Sequence, residues 1–222
     1  MKFRHEIKHE ISQADYLVLC QRLSAVARPD IHGENGCYRI RSLYFDDFRD
    51  MALMEKINGI NIREKFRIRY YEDDIAYIRL EKKSKINGLC SKTAAVLSVW
   101  ETQKILDGDY EWMLESDIPL VRELYLKLVT KGLRPKTIVD YKRDAFIFPA
   151  GNVRVTLDYD IRTGMNYRDF LYPSSLTLPI GSSIILEVKW DEFLPGIIRD
   201  AVQLEGRKNG AYSKYAACRI YG

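Results

Sequence analysis

The chain has 222 residues, 46% hydrophobic and 30% charged, which excludes a disordered polymer and leaves enough apolar material for a sizeable core. With 35 basic residues against 31 acidic ones the net charge is only +4, a small excess for a general nucleic-acid binder, so any anion site has to be made by placement. Cys20, Cys37, Cys90 and Cys218 form no CxxC or Cys/His cluster, and no apolar run approaches a membrane span; reduced thiols, no membrane insertion and a cytoplasmic setting are expected.

In chain order, residues 2–11 set Lys2, Arg4, Glu6, Lys8 and Glu10 against Phe3, His5, Ile7, His9 and Ile11, the alternation of a strand. The string His5-Glu6-Ile7-Lys8-His9 reads HExxH, a zinc-protease signature that works only at helical spacing. On a strand the two imidazoles would lie roughly 13 Å apart, which excludes a shared metal. Ser12 and Asp15 predict the start of a helix that runs to about Ala27, with Leu17, Cys20, Leu23 and Ala27 as its apolar stripe. Asn35-Gly36 turns into a strand over 37–46, in which Arg39 and Arg41 share one phase. Met54 to Ile57, Asn58-Gly59 and Ile60 onward predict a hairpin, and Asn87-Gly88 gives the same signal.

Between these turns lies the most unusual part of the chain. Residues 61–71 place Arg63, Lys65, Arg67 and Arg69 on one face, with Glu64, Phe66, Ile68 and Tyr70 on the other. Residues 78–86 follow suit, with Arg79, Glu81, Lys83 and Lys85 opposite Ile78, Leu80 and Lys82. Two like charges 4 Å apart cost about 4 kcal/mol at an effective dielectric near 20, so such a surface calls for interleaved carboxylates or a bound polyanion.

Helical periodicity takes over at 98–106 and again at 119–131, where Pro119 suits a first turn and Gly132 a C-terminal stop. Strands are expected at 136–148, at 152–161 (Arg154, Thr156, Asp158 and Asp160 on one face) and at 184–190 (Ile185, Glu187 and Lys189 on one face). Residues 172–183 read as a surface connection, 197–204 as a helix, Arg207-Lys208-Asn209-Gly210 as a basic loop, and 213–215 as the start of a last helix. No domain boundary is visible, so 1–222 reads as a single domain. Alternating strands joined by Asn-Gly turns argue for an α+β protein with an antiparallel meander. Closing the sheet into a barrel would put the charged faces inside and leave the apolar exterior for flanking helices.

Eight motifs in order along the chain then carry a resemblance. They are R-x-E-x-K (Arg4, Glu6, Lys8), R-x-K-x-R-x-R (Arg63 to Arg69), L-E-K-K (Leu80 to Lys83), Ser91-Lys92, Y-K-R-x-A-F (Tyr141 to Phe146), V-R-V-T-L-D (Val153 to Asp158), L-E-V-K (Leu186 to Lys189) and Ser213-Lys214-Tyr215. Together they resemble the polyphosphate polymerase domain of the vacuolar transporter chaperone (VTC) proteins, within the triphosphate tunnel metalloenzymes. The resemblance implies a closed eight-stranded antiparallel tunnel that builds inorganic polyphosphate from ATP with manganese or magnesium. It implies phosphate contacts from Lys8, Arg67, Arg69, Lys83, Arg143, Arg154 and Lys214, a further chain contact from Lys92, and a metal ligand in Glu187. Glu6, Arg41, Lys65 and Lys189 complete the expected substrate set. Arg4 stands where the wider superfamily has a first glutamate, as in the polymerase branch. The membrane spans and regulatory domain of the membrane-bound complexes are not expected here, which leaves a separate membrane protein as an open candidate partner. Three alternatives remain at this point: a triphosphate hydrolase in the same tunnel, a non-catalytic polyanion module, and nucleic-acid binding, which a closed tunnel disfavours.

Overall fold

A computed structural model describes residues 4–31, 33, 36–86, 89–204 and 212–219, with backbone only at 89–90. The elements are β1 (His5–Ile11), α1 (Gln13–Val26), β2 (Arg28–Pro29), β3 (Cys37–Asp46), α2 (Met51–Ile57), β4 (Arg63–Tyr71), β5 (Ile78–Ile86), β6 (Leu89–Leu97), α3 (Val99–Asp107), α4 (Pro119–Thr130), β7 (Arg134–Phe148), β8 (Val153–Gly164), β9 (Thr177–Pro179), β10 (Ile184–Trp190), α5 (Gly196–Val202) and α6 (Lys214–Arg219). Short 3-10 turns lie at Glu111–Glu115, Ala150–Asn152 and Tyr167–Leu171. No helix among the described residues is long and apolar enough to cross a membrane.

The strands pair in the order β1-β10-β8-β7-β3-β4-β5-β6, while β2 pairs with β7 and β9 with β8. The fold is therefore α+β with a large antiparallel sheet. Its path has two ends, β1 and β6, and no pairing joins them among the described residues, so the closed barrel expected from the sequence is not seen in the hydrogen bonding. Thr93, Ala94 and Val96 of β6 are exposed, as residues on an edge strand are.

Two compact units make up the chain, each from separated stretches. The first takes Met1–Arg39, Tyr141–Ile161 and Gly181–Ser213; the second takes Ile40–Asp140, Arg162–Ile180 and Lys214–Gly222. In the first unit β10 lies between β1 and β8, and the register sets Lys8 beside Glu187 and Glu187 beside Thr156. The opposite phase of these strands (Val155, Leu157, Ile184, Leu186, Val188) forms a core with Leu19 and Leu23 of α1 and Ile198 of α5. A capping box starts α1: the Asp15 amide donates to Ser12 Oγ at 3.2 Å, and the Ser12 amide donates to Asp15 Oδ2 at 3.0 Å. The stripe of α1 differs from the expected one: Leu17 is 60% exposed, while Leu19 turns inward. HExxH falls on β1, where His5 stacks on Trp190.

In the second unit β3, β4, β5 and β6 pair in succession. The apolar phase of β4 and β5 (Phe66, Ile68, Tyr70, Ile78, Leu80) packs with Ile105 and Leu106 of α3 and with Leu120, Val121, Leu124 and Leu128 of α4. Burial of those helix stripes, not intrinsic propensity, holds the short helices in place. Pro119 opens α4, and Gly132 follows its C-cap at φ +66°, a left-handed position that favours glycine. Glu64 and Lys82, two charges on the apolar phase, meet Lys127 and Glu123 of α4 in an ion network at the rim of this core.

The hairpin expected around Asn58-Gly59 is instead the helix α2, with Asn58 as its C-cap. Asp46 Oδ1 and Oδ2 accept from the amides of Ala52 and Leu53, and Asp47 Oδ1 accepts from Met51, so carboxylates well upstream satisfy the helix start. Gly36 keeps its turn at φ +81°, whereas Asn35, Asn87 and Gly88, like the loop at 207–210, lie outside the described residues.

Candidate functional site

Each unit carries one buried carboxylate ringed by cations. In the second unit, pairing of β4 with β5 places Arg67 opposite Glu81, Lys65 opposite Lys83, and Arg69 opposite Arg79; pairing of β5 with β6 places Lys83 opposite Lys92. Because paired residues share a face, Lys65, Arg67, Arg69, Lys83 and Lys92 lie on the same face as a single acid, Glu81. Arg67 donates to Glu81 Oε2 from Nε at 2.8 Å and from Nη2 at 2.7 Å, a two-toothed fork. Arg69 Nη1 stands 3.5 Å from the same oxygen, and Lys92 Nζ is 2.7 Å from Oε1. Lys83 is exposed beside this group.

β3 adds aromatic walls. The Tyr44 hydroxyl accepts from Arg67 Nη1 at 2.9 Å, and Lys65 Nζ lies 4.3 Å from the Tyr44 ring centre and 4.6 Å from that of Tyr215. Tyr215 is anchored by donating to Asp46 Oδ2 at 2.7 Å. Burial alone would raise the Tyr44 phenol, but Arg67, Lys65 and Arg69 bring it down to about 7. Burial lowers Lys65 to about 8, with Tyr44 pulling the other way. Lys214 opens α6 next to Tyr215, and both Lys214 and Lys65 act on the Cys218 thiol, which burial pushes up to about 12. The buried Ser42 hydroxyl, opposite Arg69 in the register, has no hydrogen-bond partner among the described residues.

Burial opposes the charged form of Glu81, yet Arg67, Arg69 and Lys92 hold its carboxyl at about 2 against an ordinary 4.5. A depressed acid stabilises the folded state above the unfolded pKa, and that stabilisation is lost as pH falls from 4.5 toward 2. The shift corresponds to roughly 3 kcal/mol. Urea unfolding across this range should show wild-type protein losing that much more stability than Glu81→Gln; parallel curves would contradict the assignment.

In the first unit the carboxylate is Glu187. Lys189 Nζ lies 2.5 Å and Lys8 Nζ 3.5 Å from its Oε1, and Arg143 Nη2 lies 3.9 Å from its Oε2. Burial again works toward protonation, but Lys189, Lys8 and Arg143 keep Glu187 well below the usual carboxylate range. Glu6 bridges the two lysines, at 2.9 Å from Lys8 and 3.6 Å from Lys189. Arg143 forks onto Asp158 at 2.6 and 2.9 Å, and Arg154 Nη2 donates to Asp30 and to the Tyr38 hydroxyl, both at 2.6 Å. Here acids and bases balance, whereas the β4–β6 face carries a clear positive excess. The Thr156 hydroxyl, beside Glu187 in the register, is buried without a hydrogen-bond partner.

The structure thus gathers Lys65, Arg67, Arg69, Lys83 and Lys92 in one unit, and Glu6, Lys8, Arg143, Arg154, Glu187 and Lys189 in the other. Arg41 belongs to neither group, and the expectation that it touches substrate is corrected by its geometry. Only 1% exposed, it forks onto Asp140 at 2.9 and 2.7 Å and donates through Nη1 to the Tyr172 carbonyl at 2.6 Å and to Ser175 Oγ at 3.0 Å. With each nitrogen engaged, Arg41 ties the 172–175 loop to β3 and β7. Arg4, quoted in the first motif, is likewise structural, paired with Asp191 at 2.9 Å. Glu81, Tyr44, Asp158 and Asp30 were not singled out from the sequence. Glu81 and Asp158 sit inside quoted motifs, but their roles emerge only from cross-strand register.

The class of protein that this geometry defines is an antiparallel α+β domain with cation-ringed carboxylates on two groups of strands. The chain belongs to the VTC domain family, whose model matches residues 3–220. Its structure is similar to that of the PH1012 protein from Pyrococcus horikoshii OT3, with a TM-score of 0.52 and 11% identity over 96% of this chain and 97% of that one. It is also similar to the PH1819 protein from the same organism, with a TM-score of 0.51 and 13% identity over 99% of this chain and 100% of that one. Likeness at such low identity speaks for the fold alone. Among curated proteins no match was found.

Proposed function

We propose that this chain is a polyphosphate polymerase, a phosphotransferase that moves the γ-phosphate of ATP onto a growing inorganic polyphosphate chain. The observation that carries the reading is the β4–β6 face, where Arg67, Arg69 and Lys92 converge on one carboxylate and Lys65 and Lys83 share the same face. Membership of the VTC family supports it, and the closed eight-stranded tunnel of that family is the finer architecture that goes with it.

Phosphoryl transfer asks the protein mainly for positioning and charge stabilisation, because the attacking chain terminus is already ionised near neutral pH. Arg67, Arg69 and Lys83, with Lys8, Arg143, Arg154 and Lys214, take the roles of phosphate contacts; Lys65, Lys92, Lys189 and Glu6 flank them. Tyr44 and Glu81 hold the Arg67 guanidinium on this face, where it can stabilise charge that grows in the transition state.

Glu187 is the candidate metal ligand. Among the described residues no trio of His, Cys, Asp or Glu is arranged to hold a metal ion. A single carboxylate is compatible with magnesium or manganese, which often binds through one or two carboxylates while water and substrate phosphates supply the rest. Such an ion, when bound, would neutralise phosphate oxygens. Held well below the usual carboxylate range by Lys189, Lys8 and Arg143, Glu187 is ionised, as an oxygen ligand has to be, with its Oε1 engaged by Lys189.

Incubation of the purified protein with ATP and manganese or magnesium, followed by gel separation of the products, tests the proposal. A ladder of phosphate chains is expected. Free phosphate alone would replace the polymerase with a hydrolase, and no turnover together with tight binding would leave a polyanion-binding module.

A further inference from the structure

Glu81 carries the wrong charge for a face that takes anions, yet it lies at the centre of that face and is only 2% exposed. Its partners come from both strands that flank β5: Arg67 and Arg69 on β4, and Lys92 on β6. Arg79 and Lys83 flank it along β5 in the same phase, and Tyr44 of β3 reaches the cluster through Arg67. The Nε and Nη2 of Arg67 close on a single carboxylate oxygen, Glu81 Oε2, the position that one oxygen of a phosphate group would occupy, since the guanidinium donates to either anion.

We propose that Glu81 is a built-in stand-in for a phosphoryl group: it holds Arg67, Arg69 and Lys92 in place while the face is empty, and yields those donors to a phosphate of the incoming chain. This makes Glu81 a positioning and affinity-setting residue, and it rests on the reading that this face takes phosphate chains. Two effects compete. Pre-organisation of the three cations favours binding, whereas the carboxylate repels the phosphate that must approach the same donors. The second effect is the larger, because the like charges share hydrogen-bond donors at short range, whereas the arginines keep partial support from Tyr44 and Tyr71 without Glu81. Glu81 therefore keeps affinity low enough for a chain to advance or leave, at the expense of tight ground-state binding.

The test is calorimetric titration of tripolyphosphate into wild-type protein, Glu81→Gln and Glu81→Asp, each first shown to be folded by circular dichroism. Glu81→Gln should bind about tenfold more tightly than wild type, as expected when a like charge is removed from beside the ligand. Glu81→Asp, which keeps the charge, should not gain affinity. A purely structural glutamate predicts the opposite sign, because loosened cations bind more weakly. Should the glutamine variant not fold, Glu81→Met supplies the same neutral volume. Binding by wild type with equal or weaker binding by Glu81→Gln overturns the stand-in role and leaves the phosphate reading intact. Absence of binding in both proteins overturns the phosphate reading, and the stand-in role with it.

Discussion

Replacing both Arg67 and Arg69 with alanine is expected to erase most of the rise in melting temperature that tripolyphosphate gives the wild-type protein. A ligand present at a hundred times its Kd stabilises a folded protein by about 2.7 kcal/mol, which for a chain of this size moves the melting temperature by roughly 5–10 °C. Each arginine that meets a charged phosphate contributes about 1.5–3 kcal/mol, so loss of both weakens binding roughly a hundredfold or more and brings the shift close to zero. The ligand-free protein loses stability as well, because Arg69 is buried and Glu81 keeps only Lys92 of the three cations, so the readout is the ligand-induced shift and not the melting temperature itself. Thermal melts of both proteins, with and without tripolyphosphate, separate the two effects. An unchanged ligand-induced shift in the double variant would remove this face from the site.

Arg41→Ala should cause the largest loss of stability among the cations discussed above, without acting through substrate. Arg41 and Asp140 are 1% and 3% exposed, and the substitution leaves Asp140 buried without its bidentate partner. Breaking a buried pair in this way costs about 3–5 kcal/mol, and the carbonyl of Tyr172 loses its donor as well. Urea denaturation should show a midpoint displaced by that amount with an unchanged m-value. Asp140→Asn, which keeps a hydrogen-bond acceptor, should be milder. A cost below about 1 kcal/mol would mean that the pair is not the tie between β3, β7 and the 172–175 loop that its geometry indicates.

Much of this architecture is legible from local pattern. Period-two alternation located β4, β5 and β10, the last at Ile184–Trp190 as expected, and the Ser12/Asp15 pair marked the start of α1. The segregation of Arg63, Lys65, Arg67 and Arg69 from Phe66, Ile68 and Tyr70 foretold that one face of β4 would meet α3 and α4. What alternation could not supply was the partner of each charge. Arg41 and Arg69 are both arginines on charged phases of strands, yet Arg41 pairs with an aspartate 99 positions away while Arg69 reaches Glu81 diagonally on the adjacent strand. Glu64 and Lys82 contradict a strict apolar phase because α4 brings charges to the rim of the core, a tertiary contact that no window on the strands reveals.

Two errors of element type have the same origin. Asn58-Gly59 is a strong turn signal, but here it follows a helix whose first amides are satisfied by Asp46 and Asp47, upstream of the N-cap Asp50. Asp50 stands at the N-cap, but it sits at φ +53° and its side chain makes no capping hydrogen bond there. β9 and the 3-10 turn at Tyr167–Leu171 fell within or next to a stretch read as plain connection; Arg162 holds Thr177 through its side-chain oxygen and its carbonyl, again a contact between distant residues. Closure of the sheet was expected because it would put the charged faces inside and because the resemblance implies a tunnel, but alternation along single strands carries no information on whether the two ends of the sheet pair.

A crystal structure of the protein grown with saturating tripolyphosphate tests the central claim most directly, that phosphate chains bind where the cations of β4, β5 and β6 converge. Phosphate oxygens should lie within hydrogen-bond distance of the Arg67 and Arg69 guanidiniums. Tripolyphosphate bound elsewhere, with the Arg67–Glu81 fork unaltered, would contradict it.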